Sequence, residues 1–238
     1  ARRIGEWLSR FSDAAKPGMV GLVPGEDAGG PGWWVLSGAG EMAEPPLWRL
    51  ERSLGAAVRV CATRGISRLI VELPADGGGG GEVARRLAWA AVLAGDWPEK
   101  PQRDPPKRGV VNVELRGEGK DRALSRAVAC GEAEARALLE VVRLANLPAN
   151  MATPLEIARE AARLCRRYGL RCRIHDKRAL ERERCGALLA VGRGSAVPPC
   201  LVEIEHRGPG GEGRPVALIG KTITFDSGGL SLKPWKGM

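Results

Sequence analysis

The first hundred residues alternate short apolar runs with longer stretches in which apolar positions recur at helical spacing. Residues 19–23 and 32–36 are short apolar runs bounded by glycine and proline, which is typical of strands. Apolar spacing predicts helices over residues 48–63 and 82–94, and a compact apolar strand over residues 68–73 lies between them. The order strand, helix, strand, helix predicts an α/β domain with three layers.

A polar, proline-rich stretch at residues 98–108 indicates a surface loop before the pattern resumes. Residues 109–115 predict a further strand, and residues 121–145 predict a long helix that links two domains. The helix ends near Pro148, because proline disfavours the helical conformation in the residue before it. We therefore predict three parts: an N-terminal domain at 1–130, a linking helix at 131–146 and the start of a second domain at 147–238.

The second half begins with a helix signal. Thr153 is suited to the N-cap and Pro154 to the first helical position, with Glu156 two residues later. That helix should run to Tyr168, with Gly169 as its C-cap. The further elements are a strand at 171–174, a short helix near 179–184, an apolar run at 187–191, and strands at 201–205 and 215–220 that belong to one sheet.

Composition narrows the class of protein. No apolar run approaches the roughly 20 residues that a membrane-spanning helix needs, and the first residues lack the apolar core of a secretion signal, so we expect a cytoplasmic protein without membrane contact. The six cysteines form no Cys-x-x-Cys pair, and neither His175 nor His206 has a Cys or His directly beside it in sequence. The net charge of +9 is compatible with nucleic-acid contact. The basic residues alternate with acidic ones, however, and this pattern is more typical of charged surfaces exposed to water.

The residues that carry chemistry lie between positions 216 and 233. An apolar run places Lys221 near the C-terminal end of a predicted strand, where α/β proteins position their ligands. Asp226 is followed by Ser227 and two glycines, which allow the backbone to bend closely around whatever the carboxylate holds. Lys233 reaches the same pocket if the chain doubles back at those glycines. We therefore expect Lys221, Asp226 and Lys233 to share one site.

Two rival interpretations of this stretch fail. The Gly220-Lys221-Thr222 sequence is similar to the end of a phosphate-binding P-loop, but Pro215 occupies the position where that motif requires its first glycine. Ser227 is not surrounded by the Gly-x-Ser-x-Gly elbow of a serine nucleophile. A nucleoside triphosphate site and a serine hydrolase of that type are therefore not supported.

The segment 220–234, which reads Gly-Lys-Thr-Ile-Thr-Phe-Asp-Ser-Gly-Gly-Leu-Ser-Leu-Lys-Pro, resembles the active-site segment of the leucyl aminopeptidases (cytosol aminopeptidases). Residues 146–154 resemble the beginning of that family's catalytic domain, and residues 186–199 resemble its next block. The resemblance implies a smaller three-layer N-terminal α/β domain followed by an α/β metallo-exopeptidase catalytic domain, of which this chain holds the start.

The resemblance further implies an enzyme with two divalent ions, manganese or zinc, that releases N-terminal amino acids from peptides with a preference for leucine. Lys221 and Asp226 would be metal ligands, with Asp226 bridging both ions, and Lys233 would be a cationic catalytic residue. A bridging carboxylate holds two ions about 3.5–4 Å apart, so that they share the activation of one water. A lysine ligates only when neutral, whereas a protonated lysine stabilises an oxyanion. The resemblance also implies a hexamer.

The family's remaining acidic ligands and its catalytic arginine follow this segment, so their counterparts are expected downstream of Met238. One aspartate and one lysine are too few to hold two hard cations, which take several oxygen ligands each. We expect this polypeptide by itself to bind metal weakly and to hydrolyse nothing measurable. Two alternatives stay open: an inactive truncated homologue that acts as a scaffold or nucleic-acid-binding partner, and half of a split enzyme.

Overall fold

The computed structural model describes residues 16, 18–27, 30–39, 46–73, 80–98, 109, 111–117, 122–208, 214–226 and 232–237. Within these residues the chain forms six strands, six α-helices and one short 3₁₀ helix, so the predicted α/β fold class is confirmed. The chain divides into two compact units, Ala1–Arg143 and Leu144–Met238. The predicted loop at 98–108 lies outside the described residues apart from Pro98, as do Ser227 and the glycines after it.

The first unit opens with two antiparallel strands, β1 (Val20–Asp27) and β2 (Gly30–Ser37). Helix α1 (Leu47–Thr63) follows and is tied to the end of β2 by two serines. The Ser37 hydroxyl donates to the carbonyl of Ser53 at 2.9 Å, and the buried Ser53 hydroxyl donates to the carbonyl of Gly38. Both strands and the helix occur where the hydrophobic pattern predicts them.

A parallel pair of strands continues this unit. Strand β3 (Arg68–Glu72), helix α2 (Gly80–Asp96) and strand β4 (Asn112–Arg116) follow in that order, and β3 pairs with β4 in parallel. Parallel strands need a crossover connection, which the segment containing α2 supplies. The main core is formed by residues of α1, β3 and α2, which are Leu54, Ala57, Val58, Cys61, Leu69, Leu87 and Ala94.

Helix α3 (Arg122–Ala145) contacts α2 within the first unit, where Ala135 and Leu139 form a buried cluster with Leu93. A Cβ atom added at Gly131 would lie 2.0 Å from the carbonyl oxygen of Arg85, so glycine is required at this helix crossing. The Arg85 guanidinium binds Glu82 on its own helix and Glu134 on α3. The structure describes α3 as one continuous helix, and the predicted domain boundaries at residues 130 and 146 stay predictions.

The second unit begins with helix α4 (Pro154–Arg167), in which the Thr153 hydroxyl accepts a hydrogen bond from the Glu156 amide at 3.3 Å. This confirms the predicted N-cap. Strands β5 (Arg171–His175) and β6 (Leu201–Glu205) pair antiparallel, and two six-residue helices stand between them in sequence. These are α5 (Lys177–Arg182) and α6 (Gly186–Val191), the second of which covers the apolar run at 187–191.

The predicted strand at residues 215–220 is wrong. The structure gives this stretch no regular secondary structure, and the side chains of Val216, Leu218 and Ile219 are 86%, 95% and 97% exposed. An apolar run becomes a strand only when a neighbouring strand satisfies its backbone hydrogen bonds. Within the described residues the β5–β6 sheet has two strands, and residues 215–220 pair with neither.

No helix in the described parts of the chain combines the length and apolar character that crossing a membrane would require.

Candidate functional site

Two of the three predicted site residues meet directly. The Lys233 ammonium donates a hydrogen bond to Oδ2 of Asp226 at 2.7 Å. The residues stand seven positions apart, and their side chains are 39% and 58% exposed. Hydrogen bonds between charged groups are shorter and stronger than neutral ones, and 2.7 Å is at the short end for an ammonium and a carboxylate. The sequence-based expectation that the chain returns towards Asp226 agrees with this contact.

Lys221 occupies a different setting. It stands five residues before Asp226, in the exposed stretch 214–223 that has no regular secondary structure. The ion pair between Asp226 and Lys233 does not include it. Its assignment as a metal ligand therefore stays a prediction.

The described apolar residues beside the pair in sequence are open to water. Ile223, Phe225, Leu232 and Trp235 are all exposed, and Lys236 lies over the Trp235 ring with its Nζ atom 5.4 Å from the ring centre. Water near such a pair screens its electrostatic attraction, so the ammonium and the carboxylate can separate at low cost. The arrangement offers one carboxylate and one mobile cation for chemistry.

The donor chemistry of the pair fits a divalent ion in kind. A carboxylate oxygen such as Asp226 Oδ2 is a ligand type that manganese and zinc both accept. The number of donors is smaller than a two-ion centre needs, since no three His, Cys, Asp or Glu side chains in the described ranges group closely enough to hold a metal. Asp226 can therefore serve as one ligand among others.

A second charged cluster was missed from the sequence. His175 Nδ1 lies 3.3 Å from Glu183 Oε1, and its Nε2 lies 3.0 Å from Glu203 Oε2. The ring is 11% exposed and connects β5, β6 and the turn after α5. The two carboxylates face opposite ring nitrogens, so the cluster joins three elements but does not converge on one ion. Its partners are eight and 28 residues away in sequence, and the pairing of β5 with β6 brings Glu203 to the ring.

The cysteines divide by burial. Cys61 and Cys165 are buried, whereas Cys130 is exposed. Burial raises the pKa of the Cys61 and Cys200 thiols, and burial together with a hydrogen bond to Cys165 raises the pKa of Cys172. Thiols with a raised pKa are weak nucleophiles, so these three do not indicate cysteine catalysis.

A cavity of about 540 Å³ lies between α5 and the block 186–199, and its lining includes Lys177, Glu181, Leu189, Arg193, Ser195 and Pro199. Gly192 is packed against one wall, because a Cβ atom there would lie 2.6 Å from the Pro199 ring. None of Lys221, Asp226 and Lys233 lines this cavity.

Comparison of the sequence with known proteins identifies one family. Residues 140–238 match the model of the cytosol aminopeptidase family, catalytic domain. A probable cytosol aminopeptidase of Solibacter usitatus is 32% identical over 205 residues, which cover 86% of this chain and 42% of that protein. A probable cytosol aminopeptidase of Syntrophotalea carbinolica is 47% identical over 95 residues, covering 40% and 19% respectively.

Among solved structures, the bottromycin maturation enzyme BotP in complex with Mn matches with a TM-score of 0.77 and 32% identity. That match covers 97% of this chain and 48% of BotP. The chain therefore spans about half the length, or less, of the relatives it matches.

This mixed α/β chain falls in the class of proteins whose sequence, here residues 140–238, matches a peptidase catalytic domain. Within that class, the chain belongs to the cytosol aminopeptidase family. The resemblance found in the sequence is confirmed at the level of the family.

Proposed function

We propose that the protein is a metal-dependent aminopeptidase that releases N-terminal amino acids from peptides, with leucine among the preferred residues. Family membership supports the reaction class. The single observation that carries the proposal is the 2.7 Å ion pair between Asp226 and Lys233, inside the residues that match the catalytic domain. It joins a carboxylate with a cation, the two kinds of group that this chemistry requires at one place.

In this proposal Lys221 and Asp226 would be metal ligands, Asp226 would be shared by two divalent ions, and the remaining ligands would be supplied downstream of Met238. When bound, such ions polarise the peptide carbonyl and lower the pKa of a water molecule so that it becomes a nucleophile. Manganese and zinc are the candidates, and manganese is the natural first probe because BotP was described in complex with Mn.

Lys233 is the proposed catalytic cation. An ammonium group carries three N–H donors, so a bond to Asp226 leaves donors that can reach a substrate oxygen. A donor aimed at the oxygen that gains negative charge stabilises the tetrahedral intermediate, and loss of one such donor slows comparable enzymes about 10²- to 10³-fold. Because the side chain is partly exposed, Lys233 can turn from the carboxylate towards a substrate without breaking a packed core.

For the polypeptide 1–238 by itself we propose weak metal binding and no measurable hydrolysis, because its described donors are too few for two ions. For the whole protein we propose peptide substrates, a cytoplasmic location and assembly into a homo-oligomer, a hexamer by resemblance. Measurable turnover of leucine amide by residues 1–238 alone would contradict the first of these statements.

A pair of peptides tests the reaction class. Protein purified from its natural source is incubated with a short peptide that begins with leucine, and with the same peptide acetylated at its N-terminus. We expect free leucine from the first peptide only, detected by mass spectrometry, and no release after metal is removed by a chelator. Cleavage of the acetylated peptide, or cleavage at an internal bond, would overturn the assignment.

A further inference from the structure

The contact between Asp226 and Lys233 has a consequence for metal loading. The Lys233 ammonium occupies Oδ2 of Asp226 at 2.7 Å, and the same oxygen is a donor that a divalent ion would use. We propose that Lys233 is the resident counter-ion of Asp226, so that an incoming divalent ion must displace the ammonium from the carboxylate. This inference rests on the proposed role of Asp226 as a metal ligand.

A divalent ion at Asp226 would repel the Lys233 ammonium. A divalent ion and an ammonium carry like charges and compete for one carboxylate, so each lowers the affinity of Asp226 for the other. At a separation of a few ångströms this repulsion is appreciable even in water, and it falls with ionic strength because salt screens exposed charges. Removal of the Lys233 charge should therefore strengthen metal binding at Asp226.

The exposure of the pair makes displacement feasible. Both side chains are more than a third exposed, and exposed ion pairs are weak enough to open readily. An ion that takes the carboxylate releases Lys233, which can then turn all three of its N–H donors towards a substrate oxygen. The same side chain would thus hold Asp226 in the metal-free state and serve the substrate in the metal-bound state.

A titration with Mn²⁺ tests the inference on the polypeptide 1–238. Mn²⁺ broadens the amide signals of nearby residues in nuclear magnetic resonance spectra, which detects weak sites as well as tight ones. At low ionic strength we expect Lys233→Gln to lower the Kd for broadening around Asp226 by about threefold to tenfold. The difference should shrink towards 1 M salt, where the screening length is about 3 Å.

Two control variants sharpen the titration. Lys236→Gln removes the same charge three residues away, from a side chain that lies over Trp235, and should change the Kd less than twofold. Lys233→Arg keeps the charge and should bind Mn²⁺ as the unaltered protein does. Circular dichroism spectra that match the unaltered protein exclude unfolding as the cause of any difference.

The outcomes separate this inference from the proposed function. Equal or weaker Mn²⁺ binding by Lys233→Gln, together with loss of binding in Asp226→Asn, overturns the counter-ion role and leaves the ligand role intact. Equal binding by Asp226→Asn and the unaltered protein overturns both. A gain in Lys236→Gln as large as in Lys233→Gln, or no broadening near Asp226 in either protein, also overturns the inference.

Discussion

The two compact units differ in how their apolar residues are used. In the first unit, helices α1 and α2 and strand β3 bury a contiguous core that includes Leu54, Val58 and Cys61. In the second unit, the large side chains that the structure shows as fully buried are Leu180 and Cys165. The segment that carries Lys221 and Asp226 exposes most of its apolar side chains instead.

The two units therefore differ in what their sequences must provide, which is a buried core in the first and a motif of chemical groups in the second. The first unit is defined by burial, which any suitably patterned apolar sequence can satisfy, and it contains no predicted site residue. The second unit is defined by residue types at fixed spacing, and its predicted site residues Lys221 and Asp226 lie in a described stretch whose apolar residues are mostly exposed. Substitutions should therefore reduce stability in the first unit and in α5, and leave stability nearly unchanged in residues 214–226.

The largest effect is expected at the helix crossing of the first unit. Gly131→Ala places a Cβ atom against the Arg85 carbonyl, at 2.0 Å if nothing moves, so α2 and α3 must separate. We expect a loss of about 3 kcal/mol or more in the free energy of unfolding, measured by urea titration with tryptophan fluorescence.

The matched control for this substitution is Gly95→Ala in helix α2, where an added Cβ atom meets no atom within 4 Å. Because alanine favours helix more than glycine does, this variant should be unchanged or more stable by up to about 1 kcal/mol. Equal losses in both variants would mean that the close approach of α2 and α3 does not exist in solution.

Two leucines of the second unit, one buried and one exposed, should differ in how much their replacement by alanine lowers the free energy of unfolding. Leu180 in α5 is fully buried, and Leu180→Ala should reduce the free energy of unfolding by about 2–4 kcal/mol. Leu218 is 95% exposed, and Leu218→Ala should change it by less than about 0.5 kcal/mol. A cost at Leu218 comparable to that at Leu180 would show that residues 214–226 are packed against other parts of the molecule.

A smaller effect is expected at the start of α4. Thr153→Ala removes the hydroxyl that accepts from the Glu156 amide and should cost about 1 kcal/mol in urea unfolding. Thr222 is exposed and lies outside any helix, so Thr222→Ala is the control and should be neutral. An unchanged midpoint for Thr153→Ala would refute the capping role.

The smallest expected effect is a loss of stability at low pH that depends on Glu114. Hydrogen bonds from Arg68 and then Arg116 lower the pKa of Glu114 on β4 below its ordinary value of 4.5. A carboxyl group whose pKa is lowered by folding stabilises the folded state at pH values above its ordinary pKa. This contribution disappears as the pH falls through the lowered pKa.

The Tm of the unaltered protein should therefore fall slightly more between pH 6 and pH 3 than that of Glu114→Gln. Glu132→Gln, at an exposed position on α3, is the charge-matched control. Its Tm should fall between pH 6 and pH 3 by as much as that of the unaltered protein. Identical slopes for the unaltered protein and Glu114→Gln would exclude a contribution from this ion pair.

Features that depend on nearby residues in sequence were predicted more accurately than features that depend on distant ones. Thr153 and Pro154 were placed correctly because capping depends on neighbours a few residues away. The strand at 215–220 was wrong because a strand requires a distant partner that the apolar run does not specify. The cluster at His175 was missed for a related reason, since the pairing of β5 with β6 determines it. The approach of Lys233 to Asp226 could be expected because two glycines between them permit the chain to turn.

The central claim is that Asp226 belongs to the metal centre of an aminopeptidase, and turnover of leucine p-nitroanilide tests it most directly. The whole protein is assayed with Mn²⁺ as Asp226→Asn and as Asp96→Asn, a control at an exposed aspartate at the end of α2. The account predicts that Asp226→Asn loses at least about a hundredfold in kcat/KM while Asp96→Asn stays within about twofold. Activity of Asp226→Asn within twofold of the unaltered enzyme would contradict it.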